Sequence, residues 1–168
     1  LVKAEEQRFT DSGVKDMVRR ALLPWYNSFK FLQTYADIDQ WRADKTAAPS
    51  TNITDQWILS RLQSLLTNVT REMAAYKLYN VVPALFEFIE DLTNWYIRLN
   101  RSRFWVEGES ADKNAAYQTL YQTLHTLTLS MAPFSPFLAE HIYQLLLPYS
   151  PAGKDSPQSV HLCSYPVP

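Results

Sequence analysis

From Asn94 to Trp105 the chain reads Asn-Trp-Tyr-Ile-Arg-Leu-Asn-Arg-Ser-Arg-Phe-Trp, with Arg98, Arg101 and Arg103 and no acidic residue. Asn94, Arg98, Arg101 and Trp105 follow at steps of four, three and four, which puts them on one face of a helix, with Leu92, Tyr96 and Leu99 turned to the core. A guanidinium fork matches phosphate oxygens, an amide reaches a base edge, and an indole stacks on a base. Contact with a nucleic acid is one reading. The other is that the arginines pair with acids of neighbouring helices and the indoles fill core. Arg61 joins the candidates from a second group, Asp55, Trp57 and Arg61, where Asp55 reads as a cap and Trp57 as core. The candidate contact set is therefore Arg61, Asn94, Arg98, Arg101, Arg103 and Trp105.

Other chemistries find little support. His125, His141 and His161 stand at no metal-ligand spacing with each other or with Cys163, so no metal site is predicted. No nucleophile motif is present, and the adjacent Glu90 and Asp91 diverge on a helix, so no catalytic residue is assigned. Only three glycines occur, which leaves no loop to cradle phosphate and few turns for hairpins. A single cysteine rules out a disulfide framework and fits a reducing compartment, the cytoplasm. No apolar run reaches membrane-spanning length, so no membrane partner is expected. The first residue is Leu, and the chain is expected to begin inside a longer protein. The net charge is −1, so any nucleic-acid binding must come from a local basic patch.

The elements that would hold these residues are helices. Hydrophobic residues make up 46% and charged residues 20% of 168, which supports a packed core rather than a disordered chain. Residues 1–10 read as an incoming linker, with Asp11 or Ser12 as cap. Apolar residues then recur at helical spacing from Val14 to Leu22. Pro24 predicts a break near Leu23, followed by a second piece to about Tyr35. A polar loop over 36–54 is anchored by Trp41. Thr54 or Asp55 caps a helix to about Leu78 whose stripe is Ile58, Leu62, Leu65, Leu66, Val69 and Met73. Asn80 caps the next, with Pro83 in its first turn and its end near Phe104. A helix from Asp112 carries Tyr117, Leu120, Tyr121, Leu124, Leu127 and Met131, and Ser135-Pro136 opens the last. The fold class is all-α, an antiparallel up-and-down bundle over 1–147. The proline-rich tail, 148–168, is expected to run extended out of the domain.

At this point the chain resembles a family. Leu22-Leu23-Pro24-Trp25-Tyr26-Asn27-Ser28, Asp55-Gln56-Trp57-Ile58-Leu59-Ser60-Arg61-Leu62 and Asn94 to Trp105 appear in order, with Leu78 to Leu85 and Met131 to Phe137. Together they look like the region after the catalytic domain of class Ia isoleucyl-tRNA synthetases, particularly of the eukaryotic cytosolic type. The Trp-Ile-Leu-Ser-Arg piece is shared with valyl and leucyl relatives. The resemblance implies an anticodon-binding bundle that grips the stem and loop of tRNA(Ile). A separate body of the same synthetase would join isoleucine to the tRNA, using ATP and Mg2+. The His-Ile-Gly-His and Lys-Met-Ser-Lys-Ser signatures are absent from these residues, so this stretch needs no cofactor of its own and should not aminoacylate alone. A helical protein-interaction module without an RNA role is the rival from another class.

Overall fold

The computed structural model describes residues 10–168, Lys154 through its backbone only. The predicted linker thus lies outside the described residues except for Thr10. Among the described residues the regular elements are all helical: α1 (Asp11–Met17), α2 (Leu23–Ile38), α3 (Ile53–Ala74), α4 (Leu78–Glu90), α5 (Arg98–Trp105), α6 (Ala111–Met131) and α7 (Pro136–Leu146). A π turn, Val18–Leu22, joins α1 to α2, and a π stretch, Asp91–Ile97, joins α4 to α5. The chain therefore makes five rods in an all-α, antiparallel bundle.

Local chemistry sets most boundaries. Thr10, not Asp11 or Ser12, caps α1, its hydroxyl accepting from Gly13 N–H at 3.2 Å. Asn52, not Thr54 or Asp55, caps α3 by accepting from Thr54 N–H at 2.9 Å. Asn80 does not cap α4. Its amide donates to Glu72 at 2.7 Å instead, α4 begins at Leu78, and Pro83 lies inside it. Ser110 caps α6, accepting from Lys113 N–H at 3.1 Å.

Two sequence expectations fail at the π turns. The break near Leu23 does not occur. Pro24 lacks an N–H, and its ring would collide with the carbonyl four residues back in a regular α-helix. The turn upstream widens, with Leu23 N–H donating to the Val18 carbonyl, and the rod continues through the proline. In the second stretch the Thr93 hydroxyl donates to the Ile89 carbonyl at 2.8 Å, a bond that competes with the helix ladder. One extra residue per turn shifts the buried face: Ile97 and Asn100 are inside, whereas Leu99, expected in the core, is 63% exposed.

The central rod is α6, packed against α2, α3, α5 and α7. Its Tyr117, Leu120, Tyr121, Leu124, Leu127 and Met131 are buried, and so are Ile58, Leu62, Leu65, Leu66 and Val69 of α3, as their periodicity predicts. Trp41 anchors its loop, donating from Nε1 to Asn114 at 2.7 Å. The tail does not leave the bundle. It turns through short 3-10 segments at Leu147–Tyr149, Gly153–Asp155 and Val160–Leu162. Tyr149 and Val160 are buried, the Tyr143 hydroxyl donates to the Pro157 carbonyl at 2.8 Å, and Tyr165 donates to the Ser130 carbonyl at 3.3 Å.

Candidate nucleic-acid interface

The two π turns lie close together, because α2 packs on the second and α4 on the first. Between them opens a cleft of about 510 Å³. Arg19, Arg20 and Asn27 line one side and Glu90, Asn94 and Arg101 the other, with Phe31 and Ile97 as apolar wall. A regular helix would carry these side chains past one another on a tighter spiral. The first π turn carries Arg19 and Arg20, and the second leads into α5, which carries Arg101.

Electrostatics separate free arginines from occupied ones. Arg20, Arg98 and Arg101 have no ion-pair or hydrogen-bond partner among the described residues. Arg19 pairs with Asp16 at 3.0 Å, but both side chains are well exposed, and such a pair holds its charge only weakly. Glu90 is the one acid of the cleft lining, so three guanidiniums face one carboxylate. A site of this kind attracts an anion with oxygens at several positions, as a phosphodiester backbone offers.

The structure divides the sequence-predicted set. It brings Asn94 and Arg101 into the cleft. Arg98 is exposed but outside its lining. Trp105 is 57% exposed and further along the α2–α5 seam, where its Nε1 donates to the Tyr35 hydroxyl at 2.7 Å.

Two members of the set are occupied within the domain. Arg103, with a side chain only 10% exposed, donates through Nη1 and Nη2 to Asp55 at 2.7 and 2.9 Å. Its Nε and Nη2 also reach Asp112 at 2.9 and 2.6 Å. Burial opposes its charge, yet the hydrogen bonds it donates to Asp55 and Asp112 outweigh that and raise its pKa. The donors of Arg103 thus bind helices α3 and α6 to α5. Asp55 is likewise no cap; fully buried, it also accepts from Ser50 at 2.6 Å and from the Tyr96 hydroxyl at 2.7 Å. Arg61 is likewise paired within the domain. Asp91 accepts from its Nε at 2.8 Å and Glu87 from its Nη2 at 3.1 Å, and these carboxylates hold it against α4 and the π stretch.

Sequence reasoning missed Arg19, Arg20 and Asn27. The signal was available: two adjacent arginines stand just before Pro24, in the segment that must deform to admit the proline. Trp57 is partly exposed rather than core. Among the described residues no helix is long and apolar enough to cross a membrane.

With this geometry in place, comparison with known proteins adds the following. Residues 55–168 match the family described as the anticodon-binding domain of tRNA ligase. An isoleucine–tRNA ligase of Bdellovibrio bacteriovorus is 51% identical over 167 residues, covering 99% of this chain and 16% of that protein. A cytoplasmic isoleucine–tRNA ligase of Saccharomyces cerevisiae is 45% identical over 180 residues, with the same coverage. A probable cytoplasmic isoleucine–tRNA ligase of Dictyostelium discoideum is 43% identical over 175 residues, covering 100% of this chain and 16% of its own length. The chain thus spans about one-sixth of the length of the curated relatives it matches.

Proposed function

The chain belongs to the anticodon-binding domain family of tRNA ligases, and from that premise we propose that its cleft grips the anticodon stem and loop of tRNA(Ile) as part of a cytoplasmic isoleucine–tRNA ligase. The observation that carries the reading is the meeting of two π turns around arginines that have no partner among the described residues, Arg20 and Arg101, with Asn94 beside them. Arg98 and Trp105 extend the surface along the same rod. The kinship with isoleucine enzymes from a bacterium, a yeast and an amoeba supports isoleucine over the valyl and leucyl alternatives.

The reaction itself, ATP-dependent attachment of isoleucine, belongs in this proposal to the remaining domains of the longer enzyme. Among the described residues no three His, Cys, Asp or Glu stand together to hold a metal ion. The cleft presents guanidiniums and amides, which suit phosphate and do not chelate Mg2+. These residues suit the phosphates of a tRNA backbone. Their contribution is to position the tRNA, a binding term that acts through KM for tRNA.

The test is a gel shift with total tRNA at about 50 and 200 mM salt, followed by charge reversal at Arg101 in the longer enzyme. A salt-sensitive complex, and a raised KM for tRNA with isoleucine activation unchanged, is the expected result. Normal tRNA kinetics in the reversed variant would remove the cleft from the interface. One observation favours a second reading as a protein-docking module: Ile53, Trp57, Trp95 and Leu99 are exposed apolar side chains. Absence of any tRNA complex at low salt would leave that reading standing.

A further inference from the structure

A second cavity, of about 550 Å³, opens where α2 ends and α6 begins. Its lining includes Gln40, Trp41, Glu109, Ala111, Lys113 and Asn114. We propose that this cavity receives a single unstacked nucleobase, a flat and neutral heterocycle read at its polar edge. The proposal rests on the RNA reading of the neighbouring cleft and adds a base-binding site to it.

Charge balance argues against phosphate as the occupant here. Lys113 is buried and already neutralised by Asp39 at 2.5 Å, and it also donates to the Val106 carbonyl at 2.8 Å. Arg42, the other cation of the lining, lies over the Tyr149 ring and donates to its neighbour's carbonyl. The charged side chain of the lining left without a partner among the described residues is a carboxylate, Glu109, an acceptor that repels phosphate and pairs with base N–H donors. Aromatic wall is supplied by Trp41, stacked on Tyr117 with ring centres 5.3 Å apart. The Asn114 amide is fixed by the Trp41 indole bond, so its remaining donors are held in a set direction.

The backbone at this cavity is unusual too. Gln40 has φ of 51°, a left-handed conformation that non-glycine residues seldom adopt and that concentrates at ligand clamps. Gly108, on the opposite rim, has φ of 77°.

The cavity also lies in line with the cleft. Both are strung along one seam: Asn27 of α2 lines the cleft, Tyr35 meets Trp105, and Asp39 lines the cavity. Asn27 to Asp39 is roughly 18 Å at about 1.5 Å per residue. A strand whose phosphates lie on Arg20 and Arg101 would pass Trp105 before a base reached the cavity.

The experiment uses this chain and a stem-loop RNA carrying 2-aminopurine at each loop position in turn. One position should change fluorescence on binding. Ala111→Phe, which fills the cavity from an exposed position, should abolish that change and weaken binding roughly tenfold. Glu109→Gln should weaken it in the same direction and serves if the bulkier variant fails to fold. Binding that Arg101→Ala weakens but both cavity variants leave untouched overturns the cavity alone. A chain that does not bind the stem-loop at all overturns this proposal together with the reading beneath it.

Discussion

Arg103 grips Asp55 with both ends of its guanidinium, Nη1 to Oδ1 at 2.7 Å and Nη2 to Oδ2 at 2.9 Å, and Asp55 has no solvent exposure at all. A buried charge that loses its partner keeps its desolvation cost, so breaking such a pair costs about 3–5 kcal/mol. Arg103→Ala should lower the melting temperature by on the order of 10 °C. Arg103→Lys should recover only part of it, because an ammonium cannot reproduce the fork. A thermal melt of both variants decides whether this arginine is structural.

Arg20→Ala and Arg101→Ala should behave in the opposite way. Neither side chain has a partner among the described residues, so each change should leave stability within about 0.5 kcal/mol. Each should lower the salt slope of tRNA binding by about 0.7–0.9, the release from one phosphate. Arg61→Ala is the control: its exposed pair with Glu87 and half-exposed pair with Asp91 should cost about 1 kcal/mol or less and leave the slope unchanged. Titrations at several salt concentrations measure all three.

The bundle was legible in the sequence because α3 and α6 carry their buried residues at steps of three and four, and nothing interrupts them. The site was legible in part. Spacing places Asn94 and Arg101 of the candidate site on one helix face, but spacing does not show where the partners of an arginine lie. Asp55 is 48 residues from Arg103 and Asp91 is 30 from Arg61, so those pairings appear only when the rods pack. Arg19 and Arg20 were passed over because Pro24 suggested a broken helix, when a widened turn keeps the rod whole.

The π stretch gives a register prediction. A continuous α-helix from Leu92 would bury Leu99, whereas the extra residue buries Ile97 instead. Ile97→Ala should cost about 2–5 kcal/mol and Leu99→Ala less than about 0.5 kcal/mol. Urea denaturation of the pair checks it. Equal costs, or the larger one at Leu99, would remove the π stretch from the fold.

His125 makes stability depend on pH above the range where carboxylates act. It is packed between Tyr121 and Tyr143, with ring centres 5.8 and 6.0 Å away, and burial lowers its pKa below the ordinary histidine value of 6.5. For a base, a lowered pKa means that the folded state resists the proton. Between its folded and unfolded pKa values the unfolded chain binds more protons, so stability rises with pH. The contribution is therefore complete above about pH 7.5 and is lost as pH falls through the unfolded value of about 6.5, levelling off below the folded pKa. Asp112, held low by Arg103, and Glu72, held low by Asn80, titrate beneath this window and do not obscure it. Urea midpoints measured from about pH 7.5 to 5 should fall for the native chain, with a slope of at most about 1.4 kcal/mol per pH unit. His125→Gln removes the titrating group, and its midpoints should stay level over the same range; a slope that survives the substitution would place the proton uptake elsewhere.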